Sequence, residues 1–137
     1  MQWQFEEYAI DTDRQRLDMA SITAWLQGTY WAAARPVEDM ERSWENSAVV
    51  AGVYKGEELV GFARVVTDLA TVAYLADIFI VPGYRGRGLG KWLVESLLSH
   101  PHLHGVKWLL HTRDAHDLYR QFGFQAAPVS LLERPRR

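Results

Sequence analysis

Apolar and polar positions along this chain fall into segments of two different periods. Trp3-Gln4-Phe5-Glu6-Glu7-Tyr8-Ala9-Ile10 alternates as a strand does, and the Glu6-Glu7 pair predicts a bulge or an exposed edge within it. Asp11-Thr12-Asp13 reads as a turn. Met19, Ile22, Trp25 and Leu26 then recur at helical spacing, with Asp18 as the predicted N-cap and Gly28 as the stop. The next stretch, 29–36, is aromatic and poorly periodic. Pro36 opens a second helix, with Val37, Met40 and Trp44 on one face and Glu38, Asp39 and Glu41 near its positive end.

Two β-branched runs, 48–54 and 59–67, flank Lys55-Gly56-Glu57-Glu58 and predict a hairpin. A further strand is predicted over 72–81, broken at Pro82-Gly83. A helix follows over 88–99, with Leu89, Trp92, Leu93 and Leu97 on one face, and it ends before Pro101. Gly105 precedes a strand at 106–112. Asp114 caps a short helix at 115–122, which Gly123 ends. Residues 124–127 and 129–132 read as two last strands on either side of Pro128, and 134–137 as a frayed tail. The order β-α-α-β-β-β-α-β-α-β places the chain in the α+β class: one domain over 1–137, a mixed sheet with helices on both sides.

Composition narrows the class of function. At 137 residues the chain is long enough for one core and too short for two, and 48% apolar with 23% charged residues is ordinary for a globular domain. A net charge of −2 gives no reason to expect a nucleic acid or a membrane surface as partner. The chain has no cysteine, which excludes disulfides, a thiolate metal site and an acyl-cysteine intermediate. Glu6, Glu7 and Asp11 are unlike a signal peptide, and no apolar run approaches a membrane span, so a cytoplasmic location is expected.

The most informative stretch is Ile78-Phe79-Ile80-Val81-Pro82-Gly83-Tyr84-Arg85-Gly86-Arg87-Gly88-Leu89-Gly90-Lys91. A strand runs through a turn with glycines at every second position into a helix start. Unpaired backbone N–H groups converge there, glycine admits positive φ and close approach, and Arg85, Arg87 and Lys91 add positive charge. This combination reads as a pyrophosphate cradle. It is not a Walker loop, because Arg85 stands where a glycine is needed and Trp92, not Ser or Thr, follows Lys91. Nor is it a dinucleotide fingerprint, since Gly86-x-Gly88-x-Gly90 departs from that spacing.

Arg85-Gly86-Arg87-Gly88-Leu89-Gly90 resembles motif A of the GNAT N-acetyltransferases, written Arg/Gln-x-x-Gly-x-Gly/Ala. A second signature of that family, a tyrosine shortly before Gly-Phe, matches Tyr119 with Gly123-Phe124. The resemblance covers roughly 60–124. It implies the GNAT fold, a mostly antiparallel mixed sheet of about six to seven strands that splays between its fourth and fifth strands. It also implies acetyl-CoA as cosubstrate, with the pyrophosphate on Arg85, Gly86, Arg87, Gly88, Leu89, Gly90 and Lys91, and the pantetheine arm along Ile78, Phe79 and Ile80. Thr112 stands where relatives often place a cofactor-contacting asparagine. Tyr119 is implied as the acid that assists departure of coenzyme A, and Tyr30 and Trp31 as a wall of the acceptor cleft.

The strand around Ala76-Asp77 is similar to the fourth strand of polyamine acetyltransferases, which carry a glutamate where Ala76 stands. Asp77 is therefore the candidate base (directly or through a water), a substrate-binding anion, or a structural carboxylate paired with a turn or an arginine. His100, His102 and His104 lack an acidic ligand at a suitable spacing and read as a solvated loop, so no metal is expected. His116 is a candidate proton relay near Tyr119, with a surface position as the simpler reading.

The expected activity is transfer of an acetyl group to a primary amine of a small molecule, within a ternary complex. A protein amine as acceptor and a non-catalytic acyl-CoA sensor are the alternatives, and a homodimer is an allowed arrangement.

Overall fold

A computed structural model describes residues 1–127 and 130–136. Six strands form one sheet in chain order: β1 (Gln2–Phe5), β2 (Tyr8–Asp11), β3 (Val49–Lys55), β4 (Glu58–Thr67), β5 (Val72–Ile80) and β6 (Lys107–Leu109). Every neighbouring pair is antiparallel except the last, in which β6 runs parallel to β5. The helices are α1 (Met19–Gln27), α2 (Val37–Asn46), α3 (Leu89–Leu98) and α4 (His116–Arg120).

Two apolar layers sandwich the sheet. On one face Ile22 and Leu26 of α1 and Met40 and Trp44 of α2 close over Val50 and Phe62. On the other, Leu89, Leu93, Val94 and Leu97 of α3 cover Ile10, Val53, Val65 and Leu75. The predicted cap of α1 is present: Asp18 accepts from the Ser21 amide at 3.2 Å and from the Ser21 hydroxyl at 2.7 Å. Pro36 precedes α2, and Glu38 and Asp39 sit in its first turn, where the helix dipole favours anions.

Five expectations need correction or renumbering. The first strand is a two-stranded hairpin instead: Glu6 turns the chain at φ 54°, and Phe5 pairs with Tyr8. The strand expected over 106–112 spans only Lys107–Leu109, because the chain leaves the sheet toward the turn in which Thr112 Oγ1 accepts from the Ala115 amide at 3.0 Å. The short helix is confined to His116–Arg120. Among the described residues, 124–127 and 130–132 form no strand, while Pro128 and Val129 lie outside the described residues. The splay expected between the fourth and fifth strands falls between β5 and β6, since the N-terminal segment contributes two strands. No helix of the described residues is long and apolar enough to cross a membrane.

Candidate active site

The glycine turn and α3 form the first part of the site. Gly86 and Gly88 lie at φ +80° and +78°, and a Cβ built on either meets no atom within 4 Å, so the turn presents bare backbone to open space. Gly88 is the N-cap of α3 and offers no side-chain cap. The first bond across this end runs from the Trp92 amide to the Gly88 carbonyl at 3.0 Å, which leaves the amides of Leu89, Gly90 and Lys91 free of intrahelical acceptors. These residues fit a pyrophosphate group. Leu89 itself is buried and anchors the helix, whereas Lys91 is exposed. Arg85 folds back, with its Nε donating to the Ile80 carbonyl at 2.8 Å, and so ties the turn to the end of β5. Arg87 donates to the Tyr8 hydroxyl at 3.1 Å.

The second part is an open strand edge. β5 and β6 pair only at Val72 with Lys107, Ala73 with Trp108 and Tyr74 with Leu109. Beyond Tyr74, β5 continues to Ile80 with no partner in β6, so the backbone of Ile78, Phe79 and Ile80 borders the gap. A β-bulge lies on the other edge of β5, in its pairing with β4. Phe62 pairs with Phe79 and Arg64 with Ala76, so Asp77 and Ile78 together oppose the single residue Ala63. Asp77 takes φ 55°, in the left-handed region. Before the bulge Ala73 and Leu75 face the α3 layer, and after it Ile78 and Ile80 do, so the bulge reverses the alternation of the strand.

That reversal turns Asp77 to the face of α1 and α2, where three donors meet it. Arg35 Nη1 lies 2.8 Å and Arg64 Nε 2.7 Å from Oδ2, and Trp31 Nε1 donates to Oδ1 at 3.1 Å. Burial raises the pKa of Asp77, but the hydrogen bonds and charges of the two arginines outweigh it and hold it below the ordinary 3.8. A base works best with a pKa near the working pH, and the two arginines hold that of this carboxylate low. Of the readings open at the sequence level, a structural carboxylate paired with arginine is the one this pairing matches.

The gap widens into a cleft of about 620 Å³ that brings together Tyr30, Trp31, Asp77, Ile78, Thr112 and Tyr119. Tyr119 reaches it from α4, half-buried against the α3 layer and edge-on to Phe124. Burial raises its pKa above 10, with smaller contributions from Asp114 and Tyr30, so its hydroxyl stays protonated. Tyr30 and Trp31 pack edge to face at 5.1 Å, and the Arg113 guanidinium lies 3.7 Å over the Tyr30 ring. The Thr112 hydroxyl is occupied in the turn before α4, where it accepts from the Ala115 amide.

Arg35, Arg64, Tyr74 and Arg113 also line the cleft without a role read from the sequence, and His111, which the sequence places only beside the short helix, joins them. A signal for Arg64 was present, because it is the only charge in the apolar run 59–67 and a buried carboxylate on the next strand requires a partner. Tyr74 and His111 meet across the last pairing of the parallel strands, with the Tyr74 hydroxyl 2.5 Å from His111 Nδ1. His100 is buried against Trp3 and His102 on the far side of the fold, and no group of metal-binding residues occurs among the described residues.

Comparison with known proteins decides the family. The model of the Acetyltransferase (GNAT) family matches residues 5–124. The chain belongs to the GNAT acetyltransferase family. Among solved structures, a candidate acetyltransferase of the GNAT family from Xanthomonas campestris pv. campestris is 37% identical, with a TM-score of 0.89 over 96% of this chain and 95% of its own. A protein from Clostridium acetobutylicum, described as a predicted acetyltransferase with acetyl-CoA, shares the fold at 15% identity, with a TM-score of 0.71 over 98% of this chain and 96% of its own. The histone acetyltransferase TAP1 of Glycine max is 32% identical over 84% of this chain, which spans 55% of that longer protein. As a GNAT enzyme the chain is an acetyl-CoA-dependent N-acetyltransferase.

Proposed function

We propose that this GNAT enzyme moves the acetyl group of acetyl-CoA to the primary amine of a small molecule, by direct attack while both substrates are bound. One observation carries the reading: the unpaired edge of β5 runs from the glycine turn into a cleft that also holds Tyr119 and the Tyr30–Trp31 wall. The diphosphate would lie on the amides at the start of α3 and the pantetheine arm along Ile78 to Ile80. The thioester would then arrive beside Tyr119.

The amine nitrogen attacks the thioester carbonyl, a C–N bond forms, the C–S bond breaks and coenzyme A leaves as thiolate. A phenol with a raised pKa is a weaker acid than a thiol near 8.5, so Tyr119 stabilises the departing sulfur by hydrogen bonding while solvent returns the proton. The ammonium proton needs an acceptor other than Asp77. His111, which lines the cleft, fills this role through Nε2, with Nδ1–H donating to the Tyr74 oxygen.

Because the Glycine max relative is named a histone acetyltransferase, a lysine side chain is the competing acceptor. Initial rates of thiol release, with acetyl-CoA and each of a series of small amines and a lysine peptide varied together, test the proposal. Intersecting double-reciprocal lines with a small amine are expected. Parallel lines would overturn direct transfer, a preference for the peptide would overturn the small-molecule acceptor, and coenzyme A binding without any thiol release would indicate a sensor.

A further inference from the structure

We infer that the acceptor is an amino acid or a similar amine that carries its own carboxylate, an inference that rests on the acetyltransferase reading of the same cleft. Asp77 is the reason. Its side chain is only 2% accessible, while those of Arg35 and Arg64, which grip it, are 18% and 13% accessible. A molecule entering the cleft therefore meets mostly guanidinium N–H groups and little of the carboxylate they hold. Each arginine keeps donors in reserve. Among the described residues Arg35 spends one N–H on Asp77, and Arg64 spends one on Asp77 and one on Ser47 at 3.4 Å.

The charges lining the cleft agree. Three guanidiniums, those of Arg35, Arg64 and Arg113, stand against two carboxylates, Asp77 and Asp114, leaving one positive charge in excess. One monoanion balances it, and a planar carboxylate accepts two parallel N–H bonds from a guanidinium. A polyamine would find the opposite of what it needs. The inner carboxylate is sealed, and the face of Tyr30 that could hold an ammonium already lies under Arg113 at 3.7 Å. With its carboxylate on the arginines, an amino acid presents its amine, once deprotonated, to the thioester. The C–N bond forms, the C–S bond breaks, and the products are an N-acetyl amino acid and coenzyme A.

The experiment measures acetylation of the twenty amino acids, and then compares the best of them with its carboxamide, its decarboxylated amine, spermidine and phosphoethanolamine. The free acid is expected to exceed the amide and the decarboxylated amine at least ten-fold in kcat/KM. R35Q is expected to raise the KM of the acid at least ten-fold while coenzyme A still binds by calorimetry. R113Q, at an exposed position, provides a second variant that does not disturb the buried pair, with a several-fold rise in KM for the acid and none for the amide. Equal or better use of the amide or of spermidine, a preference for phosphoethanolamine, or an unchanged acid preference in both variants overturns the inference and leaves the enzyme an acetyltransferase. If no amine releases thiol although coenzyme A binds, the catalytic reading falls, and the inference with it.

Discussion

At position 77 a carboxylate sits inside an apolar strand because each of its oxygens meets a donor, Trp31 on one side and two guanidiniums on the other. Replacing Asp77 by Asn leaves two arginines without a counter-charge, and loss of about 3 kcal/mol of stability is expected from urea titration at pH 7. The pH dependence has a definite sign. The folded pKa lies below the ordinary 3.8, so the ion pair contributes fully above that value and is lost as pH falls through the folded one. The gap between wild type and D77N should stay level from about pH 8 to 5 and shrink below about pH 4; a gap that widens in acid would contradict the pairing. For Tyr119, removal of one hydrogen bond to a departing thiolate predicts a kcat about 10- to 100-fold lower in Y119F. Coenzyme A affinity should change little, and an equal loss in both would mark the ring as packing alone. Sequence reading reaches Tyr119 through Gly123-Phe124. It gives no role to His111 or Arg113, because their approach to Tyr74 and Tyr30 depends on how the chain leaves a three-residue strand.

Among the elements, α3 begins on a bare glycine. Its N-cap is Gly88 at φ +78°, with no side chain to accept from the first amides. Gly88→Glu would place a carboxylate over those amides and a Cβ in a left-handed conformation. A cost of about 1–2 kcal/mol in stability is expected, together with loss of coenzyme A binding of more than 100-fold by calorimetry. Retained binding would remove the glycine turn from the site. Elements with a full hydrophobic period are legible in the sequence: α1, α2, α3 and the β3–β4 hairpin lie within two residues of expectation. Elements set by partners are less so. A strand pattern in 3–10 cannot reveal that Glu6 adopts positive φ and folds the segment on itself. Likewise, the apolar run 106–112 gives no sign that pairing with β5 stops at Leu109.

For the whole molecule, the arrangement of two helical layers around a mixed sheet follows from the order of the periods, whereas the opening in the sheet begins where β6 stops pairing with β5 at Leu109. The extent of the β5–β6 pairing has its own consequence. Three rows of backbone contact join the segment bearing Tyr119 and Thr112 to the rest of the sheet. A molecule lodged in the gap and bonded to both sides would also act as a fastener between them. The position of the phenol relative to the arginines is then set in part by what the cleft contains, and the substrate becomes a structural member of the enzyme for as long as it remains.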